Sequence, residues 1–545
     1  MEPFHVTLIR PPTVTSTQVM VGTPASPSLA LAFLAAFLKQ HGYAVTALDS
    51  QGEALSQYTP LDGGPHRIHG LTAEQIVACI PPETRLIGFS CMFSNEWLYH
   101  RRVIELTAER FPGVPIVVGG EHATAAPQYI LRACPGVVAC ALGEGEETLL
   151  EVLQEMERGT ALDGIDGLMV RDQTGTEAIR TAPRKRIRAL DELPWPDWES
   201  VPLRNYLDRG FGHGIGHGRN MPMLASRGCP YKCTFCSNPL MWGNLWNVRR
   251  AADVVAEMKY YKEKYAIDSF SFYDLTAIMR RSWILEFTEL LIKEDLGVTW
   301  LLPSGTRSEA MDAEVVRNLR RSGCLTLNFA PESGSPRMLQ LIKKQVNLEK
   351  MLGSVRACTR EGVYTRANII FGMQGDSPYD MLLTLRFIVR LAWAGMHDIG
   401  VFPFAPYPGS VLHDLLRARH AFPPDGPEYD RMLLANGTND YWSPRSWNEY
   451  ISDRQLQLLL IGASALFYLS QYALRPWRAA GSIGRLATGR PITFIERVVT
   501  NSLGRIRFMF GGKVALSAPI ASAAQIDVSV EDDGPSRVHG QRSAA

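Results

Sequence analysis

The chain has no excess of either charge: 56 basic residues stand against 55 acidic ones over 545 positions. A surface that attracts polyanions over its whole extent is thereby excluded, and no nucleic-acid partner is expected. A disulfide framework is also missing. The nine cysteines, Cys79, Cys91, Cys134, Cys140, Cys229, Cys233, Cys236, Cys324 and Cys358, are odd in number and mostly dispersed, which fits a reducing compartment. The start has no basic segment, apolar core and small-residue cleavage site, so secretion is not signalled and a cytoplasmic location is expected. Long apolar runs are absent too. The longest, 456–469, is broken by Gln457 and Ser464 and falls short of the roughly 20 residues that span a bilayer, so no transmembrane helix is expected. What is present is 46% apolar content, on a chain long enough for about three or four domains.

Residues 1–158 alternate short apolar strands, at 4–9, 44–49, 85–90, 115–119 and 136–142, with amphipathic helices. That alternation predicts an α/β fold with a doubly wound, Rossmann-like parallel sheet. Ligands of such sheets lie beyond the carboxyl ends of the strands, which here carry Gly119-Gly-Glu-His-Ala-Thr124 and Gly143-Glu-Gly-Glu146. Such glycines serve either tight turns or a cofactor rim. Residues 159–217, with closely spaced prolines in 190–197, read as a linker. Residues 218–430 resume the alternation, with strands at 221–225, 269–272, 299–302, 325–330, 367–371 and 399–404. Six repeats predict a partial (β/α)6 TIM-type barrel with its reactive residues at the carboxyl ends of the strands. A mainly helical cap at 431–516 and a tail of disordered composition at 517–545 complete the chain.

The most specific feature is Arg227-Gly-Cys-Pro-Tyr-Lys-Cys-Thr-Phe-Cys-Ser237. Cys229, Cys233 and Cys236 on one loop can hold three corners of a 4Fe–4S cubane, and no nearby cysteine completes a set of four. One iron is then left for an external ligand. The competing reading, a structural zinc site, needs a fourth protein ligand. Cys134, Cys140, Cys324 and Cys358 lie in apolar patterns and are expected in the core.

The Cys-x-x-x-Cys-x-x-Cys loop resembles that of radical S-adenosylmethionine enzymes. The resemblance implies that Cys229, Cys233 and Cys236 bind the cluster and that the open iron takes the amino and carboxylate groups of S-adenosylmethionine, whose reductive cleavage yields a deoxyadenosyl radical. It further implies that Phe235 packs near the adenine, that Asp274 faces the methionine ammonium, and that Ser304 and Arg307 bind its carboxylate. Asn368 and Gly372 would lie beside the adenine, and Glu332 would accept from the ribose, a helix-capping role being the alternative for it.

The stretch with Gly119, Gly120, His122, Gly143 and Gly145 resembles the cobalamin-binding domain that precedes many such barrels. The two domains cover about three quarters of the chain. No Asp-x-His-x-x-Gly follows the first strand, where Ile9-Arg-Pro-Pro-Thr13 stands, so His122 is expected at the nucleotide loop and not as a cobalt ligand. This architecture is similar to the class that includes the anaerobic magnesium-protoporphyrin monomethyl ester cyclase and cobalamin-dependent C-methyltransferases. It implies methyl transfer, by way of methylcobalamin, to an unactivated carbon of a natural product, tetrapyrrole or lipid intermediate. A radical oxidative cyclase or rearrangement enzyme and a non-catalytic cobalamin or Fe–S sensor are the alternatives. A small-molecule or lipid substrate and an electron donor of flavodoxin or ferredoxin type are the implied partners. Arg475, Arg478, Arg485 and Arg490 near Trp477 form either a solvated face or a basic surface for peripheral membrane contact.

Overall fold

The computed structural model describes residues 4–500 apart from 17–24, 62–63, 173–176, 215–217, 308–310, 437–441 and 489–491. Five apolar strands form the centre of the first sheet: His5–Arg10 (β1), Ala44–Asp49 (β2), Leu86–Ser90 (β3), Ile116–Gly119 (β4) and Val137–Ala141 (β5). They pair in parallel in the order 2-1-3-4-5. Both faces are covered, which is why these strands read as continuous apolar runs. Leu29–Gln40 packs with Glu146–Arg158, and Ala73–Ala78 packs with Trp97–Arg110. The strand order reverses between β1 and β3, and the carboxyl ends there open the crevice where ligands of doubly wound sheets bind.

The stretch expected as an irregular linker departs from expectation. Leu168–Arg171 (β6) and Ala178–Arg180 (β7) extend the first sheet antiparallel from β5. Leu168, Met169 and Val170 are each 4% exposed or less, so burying this apolar triad outweighs the loop character set by the prolines further on. Thr13–Ser16, Tyr58–Pro60 and His66–His69 form a small antiparallel sheet that periodicity did not disclose.

The second sheet has six parallel strands in chain order: Asn220–Met223 (β8), Ser269–Phe272 (β9), Thr299–Thr306 (β10), Cys324–Glu332 (β11), Tyr364–Phe371 (β12) and Asp398–Pro403 (β13). On β12 the residues Thr365, Ala367, Ile369 and Phe371 are buried while Arg366, Asn368 and Ile370 alternate with them, the period of two that separates a helix-facing side from a barrel interior. The cores of the two sheets are continuous: one apolar cluster runs from Phe4 and Val6 through Phe270 and Phe329 to Leu456 and Phe467.

The helical cap is also arranged differently. Helix Gly426–Asn436 straddles the expected boundary and packs on the first domain, where Tyr129 Oη donates to Asp430 Oδ1 at 2.5 Å and the rings of Tyr129 and Tyr429 meet edge-on at 5.4 Å. Helix Asp453–Leu474, started by a capping box of Ser452 and Gln455, lies along helix Pro378–Ala394 and β13. Its 22 residues are long and apolar enough to cross a membrane by length and composition, a length the broken run 456–469 did not suggest. Leu456, Leu460, Ala463 and Phe467 are nevertheless buried in the barrel's core.

The arginines beyond it turn inward. Arg475 donates to the carbonyls of Ala392 and Trp393, Arg478 to those of Gly395 and Met396, and Arg485 pairs with Glu496 at 2.7 Å. The carbonyls at the end of helix Pro378–Ala394 and in the turn after it accept from Arg475 and Arg478. The basic outward face expected there is thus used for packing, while Arg490 and the tail 517–545 fall outside the described residues.

Candidate functional site

The cysteine loop is held at its entrance by three devices. Ser226–Arg227 pairs antiparallel with Asn247–Val248. Gly228 has φ +86°, and a side chain there would collide with the Leu245 carbonyl, so only glycine makes this turn. Asp274, just beyond β9, accepts from the Ala225 N–H at 3.1 Å and from Ser226 Oγ at 2.5 Å. Burial pushes its carboxyl up to about 6. Each Asp274 oxygen thus accepts one hydrogen bond from the start of the loop, which ties this carboxylate to the loop entry.

The loop then hangs between two other segments. The Thr234 N–H donates to the Ile342 carbonyl at 3.0 Å, the Leu412 N–H donates to Thr234 O at 2.9 Å, and Cys233 Sγ lies 3.9 Å from the Lys343 carbonyl. Cys229, Cys233 and Cys236 are free and half-buried. Burial raises the Cys233 thiol and pushes Cys236 up to about 12, so iron ligation, which needs thiolates, must release protons. Among the described residues no three or more His, Cys, Asp or Glu side chains meet around a single metal ion. A cubane makes no such demand, because each thiolate binds a different iron, and three free thiols on one short loop fit it.

Motifs from neighbouring strand ends surround the thiols. Glu332 ends β11 with φ +65°, next to a break in register between Phe329 and Glu332. A left-handed glutamate is strained, and such strain concentrates at functional sites. Its Oε1 lies 2.9 Å from Lys344 Nζ, with both side chains buried. That ammonium sits 5.9 Å from the centre of the Phe235 ring. Burial opposes the Lys344 charge, but Glu332 and the Cys233 thiol beside it outweigh burial and raise its proton affinity. Arg307 stacks 3.9 Å over Tyr231 of the cysteine loop and donates to the Gln345 carbonyl. Ser304 is half-buried on β10. Asn368, half-buried on β12 next to Ile369, which is in register with Glu332, has a buried Oδ1 without a hydrogen-bond partner. Gly372 has φ +82°, and a side chain there would touch Leu456.

The glycine loops of the first domain approach the same rim. Gly120 has φ +103° and an added Cβ would lie 2.5 Å from the Cys91 carbonyl oxygen, so backbone approach alone demands glycine. The Gly143 N–H donates to Thr124 Oγ1 at 3.0 Å, and Thr124 Oγ1 in turn donates to the Gly120 carbonyl, which ties the two loops together. Gly119 is half-buried, and Gly145 opens helix Glu146–Arg158. His122 is placed otherwise than expected. It is turned into the core, its Nδ1 2.8 Å from Ser94 Oγ and its ring 4.9 Å from that of Trp97, and burial pushes it down to about 3, so it is neutral. At the crevice itself, past the end of β3, Phe93 is 57% exposed, an apolar ring on a wall that suits a large flat ligand.

A buried charge cluster that local sequence does not mark joins the two halves. Arg227 is 6% exposed, and its guanidinium binds Glu144 Oε1 at 3.1 Å and Glu146 Oε1 at 2.6 Å. Glu144 Oε2 also accepts from Arg186 Nε at 2.6 Å and from the Ile187 N–H at 2.9 Å. Burial works against the Glu146 charge, but Arg227 and the backbone N–H groups at the helix start hold its carboxyl low. Ser237 donates to Glu121 on the other glycine loop. The acidic residues of both glycine motifs thus clasp the two ends of the cysteine loop. Lys344 was also missed: as one of two tandem lysines behind helix Pro336–Leu341 it looks like an ordinary cation at a helix end.

Two family models match the chain. One, described as the radical SAM superfamily, covers residues 223–388, and one described as a B12 binding domain covers residues 21–153. An uncharacterized methyltransferase of Pyrococcus horikoshii is 26% identical over 473 residues, spanning 86% of this chain and 93% of its own length. The cytidylyl-2-hydroxyethylphosphonate methyltransferase of Streptomyces wedmorensis is 28% identical over 419 residues, 70% of this chain and 76% of its own. Among solved structures, the cobalamin-dependent S-adenosylmethionine radical enzyme OxsB with aqua-cobalamin bound has a TM-score of 0.63 at 15% identity, over 93% of this chain and 76% of that one. At that identity the likeness is one of fold.

Two substitutions separate the loop's roles. Cys233→Ala is expected to keep the thermal unfolding midpoint close to that of the parent while iron content after anaerobic reconstitution collapses, since two thiolates retain a cubane poorly. Arg227→Ala leaves two glutamates buried with less compensation and is expected to cost about 3–5 kcal/mol, read as a clear fall in the unfolding midpoint together with poorer iron retention.

Proposed function

We propose that this chain, which matches the radical SAM superfamily over residues 223–388 and a B12 binding domain over residues 21–153, is a cobalamin-dependent radical S-adenosylmethionine C-methyltransferase acting on an unactivated carbon of a biosynthetic intermediate. The observation that carries this reading is the clasp of Arg227 by Glu144 and Glu146, which sets the cysteine loop against the glycine loops of the first domain and so brings two cofactor rims together. The two methyltransferase relatives support the same reaction class. Its cofactors are a 4Fe–4S cluster, S-adenosylmethionine and cobalamin.

When bound, these groups supply a carbon-centred radical able to remove hydrogen from an unactivated C–H bond and a methyl group to replace it. The protein's share is to bind, orient and exclude water. Cys229, Cys233 and Cys236 hold the cluster. Ser304 and Arg307 receive the methionine carboxylate, Arg307 being pre-positioned by Tyr231. Glu332, paired with Lys344, accepts from the ribose hydroxyls, and Phe235, Asn368 and Gly372 border the adenine, the unpaired Asn368 Oδ1 being available to an amino group. The backbone loops of Gly119, Gly120, Gly143 and Gly145 would form the rim that holds cobalamin, and Phe93 would offer it an apolar surface. Asp274 serves the loop entry.

The substrate is a small molecule, and a donor of flavodoxin or ferredoxin type supplies electrons in the reducing cytoplasmic setting that keeps the thiols free. For a lipid-borne substrate, this reading assigns membrane contact to the outer side of helix Asp453–Leu474, where Leu458, Ile461 and Leu469 are exposed.

Anaerobically reconstituted protein given hydroxocobalamin, methyl-labelled S-adenosylmethionine and titanium(III) citrate is expected to release both S-adenosylhomocysteine and 5′-deoxyadenosine, with label in the cobalamin fraction. Formation of 5′-deoxyadenosine alone would favour the cyclase reading and contradict methyl transfer.

A further inference from the structure

Lys344 is not placed as a surface lysine. Its side chain is 11% exposed, its ammonium is 2.9 Å from Glu332 Oε1, and it faces Phe235, the residue before Cys236. The segment that carries it is fastened to the cysteine loop by the Thr234 N–H to Ile342 bond at 3.0 Å and by the approach of Cys233 Sγ to the Lys343 carbonyl at 3.9 Å. Lys343, between them, has φ +53°, so the chain adopts an unfavourable left-handed conformation to turn Lys344 inward. A buried cation on a segment fastened to the cysteine loop, within electrostatic reach of Cys233 and Cys236, meets a group whose negative charge grows when it is reduced.

We propose that Lys344 is the cluster-side cation that makes the one-electron reduction of the cluster easier, with Glu332 as the counter-charge that tempers it. One electron passes from the external donor to the cluster, which gains one unit of negative charge. The Lys344 ammonium is held in place beforehand and stabilises that added charge more than it stabilises the oxidised state. In a poorly hydrated site such a charge acts with little screening, and charge near the cluster is one of the levers that set iron–sulfur potentials. Glu332, on the same ammonium, cancels part of the effect in the empty site. Engagement of Glu332 by a ribose would draw its charge away and leave more of the Lys344 field for the cluster, which couples ligand binding to reduction.

This inference rests on the cluster assigned to the cysteine loop, and its test distinguishes the two. Full-length protein is reconstituted anaerobically without S-adenosylmethionine, and the midpoint potential is followed by electron paramagnetic resonance during a reductive titration. Lys344→Met is expected to shift the midpoint to more negative potential at unchanged iron content, Lys344→Arg to stay near the parent value, and Glu332→Gln to shift it to more positive potential. Equal midpoints in the parent, Lys344→Met and Glu332→Gln proteins overturn the proposal while leaving the cluster assignment intact. If Lys344→Met takes up no iron, Glu332→Gln decides alone: a positive shift supports the proposal and no shift overturns it. Absence of any cluster signal in the parent protein overturns the ligand assignment itself.

Discussion

The guanidinium of Arg227, buried between Glu144 and Glu146, is the contact on which the arrangement of this protein depends. Arg227 directly precedes the glycine that starts the cysteine loop, and both glutamates belong to the glycine loop beyond β5. Placing three charged groups in a core is expensive, and the attraction among them offsets that cost only when geometry and additional hydrogen bonds are good. Here Arg186 and the Ile187 N–H take up the second oxygen of Glu144. A hydrophobic seam would hold two sheets together equally well, but it would tolerate sliding. Paired charges with fixed directions define one register, and register matters when two cofactors must face one substrate.

A division of labour follows within the motifs. Asp274, His122 and the positive φ of Gly120 and Gly372 build the frame: they hold the loop entry, pack the core, or admit a neighbouring backbone or side chain. Glu332, Lys344, Arg307 and the three thiols gather instead around the cysteine loop. Glu332 combines a left-handed backbone with a buried ion pair, two costs that a purely structural strand end would avoid. The long helix Asp453–Leu474 completes the enclosure from the outside, with Leu456 set against Gly372 and Tyr468 hydrogen-bonded to Asp398.

Much of the layout was legible in the sequence because it follows from periodicity. Both parallel sheets, all six barrel strands and the position of the cysteine loop at a strand end come from alternating apolar runs. The unread parts share a physical cause: they depend on partners far apart in the chain. Arg227 and Glu144 are 83 positions apart, and nothing local marks them as a pair. The strands β6 and β7 were hidden because Leu168-Met-Val170 is a short run close to a proline-rich stretch, and short runs declare themselves only through the edge they extend. The inward-turned arginines after Leu474 look amphipathic in sequence, yet the carbonyls of helix Pro378–Ala394 claim them. His122 stands in a convincing motif and still belongs to the core, since a motif gives a residue's position in the chain but not the direction of its side chain.

The central claim is that one chain assembles a cluster site and a cobalamin site against each other, and metal content tests it most directly. Protein expressed with hydroxocobalamin and iron supplied, then purified anaerobically, is predicted to hold about four irons, as one 4Fe–4S cluster, and about one cobalt per chain, with negligible zinc. Stoichiometric zinc in place of iron would contradict the reading of the cysteine loop, and a full iron complement without cobalt would contradict the joint site.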